Sequence, residues 1–309
     1  MLITTSIIIV SFVVLLVVIN IQSERPRPLL GPIGMEPGFD EPNLPLPYPA
    51  PSEYTGSETM LPDEPGLSME ALALIAAAPP ELPPRPNRGT LVFVIDDAGH
   101  NIHELEPFLR FPGPITIAVL PGLTHSVEAA RRIREAGKEV FLHQPMEAIG
   151  GEDPGPGAIY SGMDSEEILE ILGRNLAEVG PVAGMNNHQG SRITADKRIM
   201  ETVLAFSQEH GILFLDSKTT ASSTASAVAQ RMGITIGERN VFIDNAQDRP
   251  SMNRAIEEGL RIASRRGSAV MIGHVWSPEL APLLNELYRN LVDQGFTFAT
   301  ASQLIAGEF

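Results

Sequence analysis

Gly89-Thr-Leu-Val-Phe-Val-Ile-Asp-Asp97 is an apolar run that stops on two adjacent carboxylates. The same pattern recurs downstream. Val140-Phe-Leu runs into His143, Gly184-Met into Asn186-Asn187-His188, and Leu213-Phe-Leu into Asp216-Ser217. Phe242-Ile runs into Asp244-Asn245, and Val270-Met-Ile-Gly into His274. Each run is short, rich in β-branched or aromatic residues, and ends in a side chain able to bind a cation or move a proton. In a parallel α/β architecture all strand C-termini open onto one face, where active sites sit. Residues far apart in sequence should therefore meet in one cleft.

The stretches between these runs read as amphipathic helices. Thr124 to Ala136 repeats Val127, Ala130 and Ile133 at helical spacing, and Asp164 to Glu178 opens on an Asp-Ser cap. Asp196 to His210, Ser251 to Arg266 and Pro278 to Gln294 are similar. Strands are expected near 90–95, 115–120, 139–143, 182–186, 212–215, 241–243, 269–272 and 296–299. Alternating strands and helices give a parallel sheet with right-handed crossovers. So many strands in so short a stretch predict a closed or nearly closed β/α barrel, with an open doubly wound sheet as the alternative. No glycine-rich phosphate loop follows the first strand, which argues against a nucleotide site.

Upstream of Gly89 the texture is different. Leu2 to Ile21 is almost wholly apolar and long enough to span a bilayer as one helix. Residues 1–23 are expected to be a membrane anchor. Residues 24–88 hold 16 of the 27 prolines and are expected to be a disordered, semi-extended linker, with a short helix possible at Ser68 to Ala78. Arg25 and Arg27 alone would favour a cytoplasmic C-terminal side. The stretch that follows is long and acidic, and residues 89–309 are read as an extracytoplasmic domain.

Composition narrows the chemistry. A formal charge of −16 with no offsetting basic patch argues against nucleic acid. There is no cysteine, so a metal site must use His, Asp or Glu. Three histidines and two aspartates at strand ends suit Zn²⁺, and also Mn²⁺, Co²⁺, Ni²⁺ or Fe²⁺. Asn187 and Ser191 lie in a polar, glycine-containing loop suited to ligand contact, and Trp276 can roof a sugar or line the pocket. Asp216 and Ser217 are candidates to orient a ligand or His274. No second carboxylate-rich cluster accompanies these residues, which disfavours a two-metal phosphoesterase.

Five motifs, in order, carry a resemblance. Val94-Ile-Asp-Asp-Ala-Gly-His-Asn, Leu142-His-Gln-Pro-Met-Glu, Asn186-Asn-His-Gln-Gly-Ser-Arg, Leu215-Asp-Ser-Lys-Thr-Thr and Ile272-Gly-His resemble the divergent polysaccharide deacetylase family over about residues 89–305. That family relates to the carbohydrate esterases of the NodB-like fold, a distorted β/α barrel. The resemblance implies a metal-dependent deacetylase-type site in a bacterial envelope protein; with the expected anchor, the chain is read as an inner-membrane protein whose periplasmic domain acts on an acetylated envelope glycan. It assigns Asp96 as general base, His274 as general acid, and Asp97 and His143 as ligands of a divalent ion that activates water, a set that His188, after the next strand, would have to complete. The typical third-strand motif has two histidines four apart; here Glu147 stands at the second position. The typical arginine–proline–glycine motif is missing. The alternative is a glycan-binding or scaffold protein that keeps the fold without catalysis.

Overall fold

The computed structural model describes residues 87–308. The expected anchor, most of the expected linker and the helix at 68–78 lie outside the described residues. Among the described residues no helix is long and apolar enough to cross a membrane.

Among the described residues nine strands are all paired in parallel: β1 Thr90–Ala98, β2 Thr116–Val119, β3 Glu139–Met146, β4 Gly184–Gln189, β5 Leu213–Asp216, β6 Gly237–Glu238, β7 Val241–Phe242, β8 Ser268–His274 and β9 Thr297–Phe298. Their order across the sheet is β6-β5-β4-β3-β2-β1-β8-β7, with β9 beside the N-terminal half of β1. The helices are α1 Ile102–Leu109, α2 Ser126–Glu135, α3 Ser165–Val179, α4 Lys197–Glu209, α5 Ala225–Met232, α6 Arg249–Arg266, α7 Leu280–Asp293 and α8 Ala301–Ala306. Asp164 caps α3 in a full capping box and Asp196 caps α4, as their sequences predict.

The sheet is curled rather than open. Its two edge strands, β6 and β7, are separated in the chain only by Arg239-Asn240. Those two residues reach both sides of the seam. Arg239 N–H donates to Asp216 O (3.0 Å) at the end of β5, and Asn240 N–H donates to Val270 O (2.9 Å) on β8. The Arg239 guanidinium adds bonds to the carbonyls of Ser217 and Lys218 and lies 3.7 Å over the Phe242 ring. No β6–β7 ladder forms among the described residues, so the result is a parallel half-barrel left open along one seam. The doubly wound alternative fails because the edges of such a sheet stand far apart. The strand at 237–238 was not expected; two residues carry no periodicity to read.

Strand alternation sorts the core into two layers. Leu91, Phe93 and Ile95 of β1 face the helices and join the larger apolar cluster. Val92 and Val94 face into the curl with Phe141, Leu215, Val270 and Ile272, where Ala301 and Ile305 of α8 plug the bottom. Every residue of β1 is buried, as expected for a parallel strand covered on both faces. The inward parity then turns polar toward the C-terminal ends. Val92 and Val94 lead to Asp96, Phe141 to His143, Leu215 to Ser217, and Val270 and Ile272 to His274. One face of one curled sheet thus carries an apolar floor and a polar mouth. At the opposite end, Arg88 belongs to this folded unit: its N–H donates to Gly295 O (2.9 Å) and its guanidinium lies 4.8 Å over the Phe296 ring.

Candidate metal centre

Adjacent residues on a strand point to opposite faces, so Asp96 and Asp97 should diverge. They do not, because Asp97 adopts a left-handed backbone (φ 67) and the β1–β2 register shifts between Ile95 and Ala98. Aspartate tolerates this region better than most residues. The kink turns the second carboxylate back into the mouth.

There, Asp97 Oδ1 meets two imidazoles. It lies 2.9 Å from His188 Nδ1 and 3.2 Å from His143 Nε2, and those nitrogens are 3.2 Å from each other. The oxygen is buried, yet no N–H is directed at it in hydrogen-bonding geometry. Close approach without a directed proton is the arrangement of three donors sharing a cation. Three donors about 2.1 Å from one ion stand about 3.0–3.4 Å apart in octahedral or tetrahedral geometry. The observed triangle fits, and a buried carboxylate with two imidazoles is a donor set for Zn²⁺ or a similar divalent ion.

The surrounding groups fix how the donors are presented. Asn186 lies between His143 and Asp96. Its side-chain N–H donates to Asp96 Oδ1 (2.8 Å), since an ionised carboxylate can only accept. Its Oδ1 must then face His143 Nδ1, 2.8 Å away, and accept that proton. This holds the Nε2 lone pair toward Asp97 and His188. The other Asp97 oxygen, Oδ2, accepts from the Trp276 indole N–H at 2.7 Å.

The electrostatics favour a cation. Burial pushes the Asp97 carboxyl up, but the facing imidazoles outweigh it and hold the group well below the usual carboxylate range. Burial pulls His143 down, and the carboxylates of Asp96 and Asp97 more than reverse this. The two carboxylates therefore favour positive charge beside them, either as a proton on His143 or as a metal ion in its place. Asp96 stands apart: burial raises its pKa, with the imidazoles of His143 and His274 only partly offsetting it. Its Oδ2 is 3.6 Å from His143 Nε2, near the triangle without joining it.

Asp96 pairs in register with His274 on the neighbouring strand β8. His274 Nδ1 is 2.9 Å from Asp244 Oδ1, and its backbone N–H donates to Asp244 Oδ2 at 2.9 Å. The imidazole stacks against Trp276 with ring centroids 4.7 Å apart. Burial lowers its pKa, but Asp244 and the nearby Asp96 and Asp97 carboxylates push it up to about 9. The carboxylate orienting His274 is therefore Asp244, and not Asp216.

The structure thus brings together Asp96, Asp97, His143, His188, His274 and Trp276. Ser217 joins through its Oγ, 3.3 Å from the Asn186 amide nitrogen. Asn187 points away from the mouth and ties β4 to β5, its Oδ1 accepting from Ser217 N–H at 2.9 Å. Asp216 is occupied by Ser223 Oγ (2.6 Å) and Lys218 N–H (2.8 Å). Ser191 Oγ accepts from Ile149 N–H (2.9 Å) and serves the loop beside the site. Glu147 clamps the same loop through Arg192 (2.9 Å) and Ser161 N–H (2.8 Å), away from the triangle. Two residues that matter, Asn186 and Asp244, received no role from the sequence. Alternation carried a signal for the first, since Asn186 and His188 share a face of β4 and Asn187 does not.

A family model for divergent polysaccharide deacetylases matches residues 93–305. The chain belongs to the divergent polysaccharide deacetylase family. The uncharacterized protein YibQ of Escherichia coli is 31% identical over 233 residues, covering 75% of this chain and 71% of that protein. An uncharacterized protein of Haemophilus influenzae is 28% identical over 201 residues, covering 65% and 71%. The crystal structure of an uncharacterized protein from Agrobacterium tumefaciens superposes with a TM-score of 0.67 at 24% identity, over 72% of this chain and 92% of that one. That likeness shows the fold. The deacetylase-family half-barrel and the Asp-His-His triangle at its mouth are thus features of one family member.

Proposed function

We propose that this protein is a metal-dependent hydrolase that removes acetyl groups from an envelope polysaccharide. The observation that carries the reading is the convergence of Asp97 Oδ1, His143 Nε2 and His188 Nδ1 beside an unligated carboxylate, Asp96, and a hydrogen-bonded imidazole, His274. Asp97, His143 and His188 would hold the ion, with zinc the best match to the donors. A bound divalent ion supplies Lewis acidity, making water a nucleophile near neutral pH and polarising an acyl oxygen.

The remaining steps belong to the chain. Asp96 takes the proton of the attacking water: its burial makes it a stronger base than an exposed carboxylate, and Asn186 fixes one of its oxygens. His274 has its Nδ1 engaged by Asp244, which leaves the other ring nitrogen to protonate the departing amine. With a pKa of about 9 it carries that proton at neutral pH. An amine anion is too poor a leaving group to depart unprotonated, so an acetamide needs this acid more than an acetyl ester does. Periplasmic placement and an anchor at Leu2 to Ile21 complete the reading and rest on the sequence alone.

The test is acetate release by the full-length protein from N-acetylated and O-acetylated envelope glycans, before and after metal stripping. Release that stops on stripping and returns with a divalent ion supports the reading. A chain that binds glycan but releases no acetate in any metal form is a binding protein instead.

A further inference from the structure

His274 is held on more than the edge that faces Asp244. Its two contacts with that carboxylate, through Nδ1 and through the backbone N–H, are both 2.9 Å. One hydrogen bond at a ring edge is a pivot and not a clamp: the imidazole can tilt about it, and the far nitrogen, Nε2, travels furthest. Contacts on the ring faces stop that tilt, and both faces carry an aromatic neighbour. Trp276 lies 4.7 Å away between centroids, with planes 17° from parallel. Phe242 lies 5.9 Å away, with planes 20° from parallel. The two come from opposite sides, because β8 runs between β1 and β7: Phe242 belongs to β7, and Trp276 is tied to Asp97 of β1. Each is braced from behind. The Trp276 N–H donates to Asp97 Oδ2 at 2.7 Å. The Arg239 guanidinium lies 3.7 Å over the Phe242 ring and is itself fixed by the carbonyls of Ser217 (2.6 Å) and Lys218 (2.7 Å).

We propose that Phe242 is a positioning residue for His274: its ring, backed by Arg239, closes the second face of the imidazole and holds Nε2 at one point of the mouth. Offset, near-parallel rings at these separations attract one another, so the row Arg239–Phe242–His274–Trp276 holds itself together. The requirement is for a flat ring and not for bulk. Phe242 is half-buried at the rim of the inner apolar cluster. An aliphatic side chain there keeps most of the packing and removes the plane that meets the imidazole. Proton transfer depends steeply on position, and a displacement of about 1 Å can cost about 10²-fold in rate. The row itself stands on geometry; its effect on rate rests on the hydrolase reading above. Arg239 thereby gains a second task. It crosses the seam of the half-barrel, and through Phe242 it ties that seam to the proton donor.

Trp276 is the only tryptophan, and a protonated imidazole stacked on an indole quenches its emission, so emission reads the His274–Trp276 contact without any turnover. Four forms of the full-length, metal-loaded protein are compared at neutral pH: the parent, Phe242→Leu, Phe242→Tyr and His274→Ala. His274→Ala gives the unquenched level. Phe242→Leu should rise toward that level, and its kcat for acetate release should fall about 10–100-fold with KM and metal content kept. Phe242→Tyr, which restores a flat ring, should recover most of both. Thermal unfolding checks each variant, and Phe242→Met, an unbranched filler of the same space, takes the place of Phe242→Leu if that does not fold. A folded, metal-loaded Phe242→Leu with parental emission and parental kcat overturns the proposal, as does an equal loss in Phe242→Leu and Phe242→Tyr. Emission that follows the expected pattern while no form, parent included, releases acetate leaves the positioning role standing and sinks the hydrolase reading. Acetate release that is indifferent to Phe242 does the reverse.

Discussion

His274 and Asp244 form a paired contact. The ring Nδ1 and the backbone N–H of His274 reach the two oxygens of one buried carboxylate, each at 2.9 Å. Asp244 therefore fixes both the position of the strand end and the ring's tautomer, as carboxylate–imidazole pairs do in acid–base sites.

Replacing Asp244 with Asn should lower the His274 pKa from about 9 toward its ordinary value, since the hydrogen-bonded charge is removed. The base-side limb of the kcat–pH profile should move down with it. The folded pKa is raised above the unfolded value of about 6.5. Its stabilising contribution is thus full below about pH 6.5 and lost as pH rises through about 9. A pH-dependent unfolding series should show this loss in the parent and much less of it in Asp244→Asn. His274→Ala should lower kcat by about 10²–10⁴-fold with metal content kept. Loss of metal in that variant would instead make His274 a ligand.

Asn186 sets the His143 tautomer and braces Asp96. Asn186→Ala should weaken metal affinity by about 10–100-fold, the usual effect of removing a partner of a metal-bound imidazole. Asn186→Asp should damage Asp96 further by setting two carboxylates together. Metal titrations of the two variants check this; unchanged affinity in both would mean that His143 orients without Asn186.

Gly184 stands beneath Asn186 on the same strand. A Cβ there would lie 2.5 Å from the Phe141 ring and 2.7 Å from the Leu213 carbonyl. The carbonyl belongs to the β4–β5 neighbourhood and has no room to yield. Gly184→Ala should cost about 1–3 kcal/mol of stability, read by denaturant unfolding.

The sequence showed the runs that became β1, β3 and β8, because long parallel strands buried on both faces leave unbroken apolar segments. It also showed the polar residue at each strand end. It left a closed and a nearly closed barrel equally open, since the choice depends on Arg239-Asn240 crossing a seam between two-residue strands. The site was legible in its histidines and aspartates, which close one apolar run after another. Asp244 stands at a strand end like the others, and only its three-dimensional pairing with His274 gives it a role. Asp216 looked equivalent, yet Ser223 and Lys218 N–H occupy it. The αL turn at Asp97, which brings both carboxylates to one mouth, has no sequence signature beyond aspartate's tolerance of it.

The most direct measurement is metal content beside acetate release for the parent, Asp97→Ala, His188→Ala and Asp96→Asn. The parent should hold one divalent ion per chain and release acetate. Asp97→Ala and His188→Ala should lose both, while Asp96→Asn should keep the ion and lose turnover. Full metal occupancy in Asp97→Ala and His188→Ala, or acetate release unaffected by Asp96→Asn, would contradict the account.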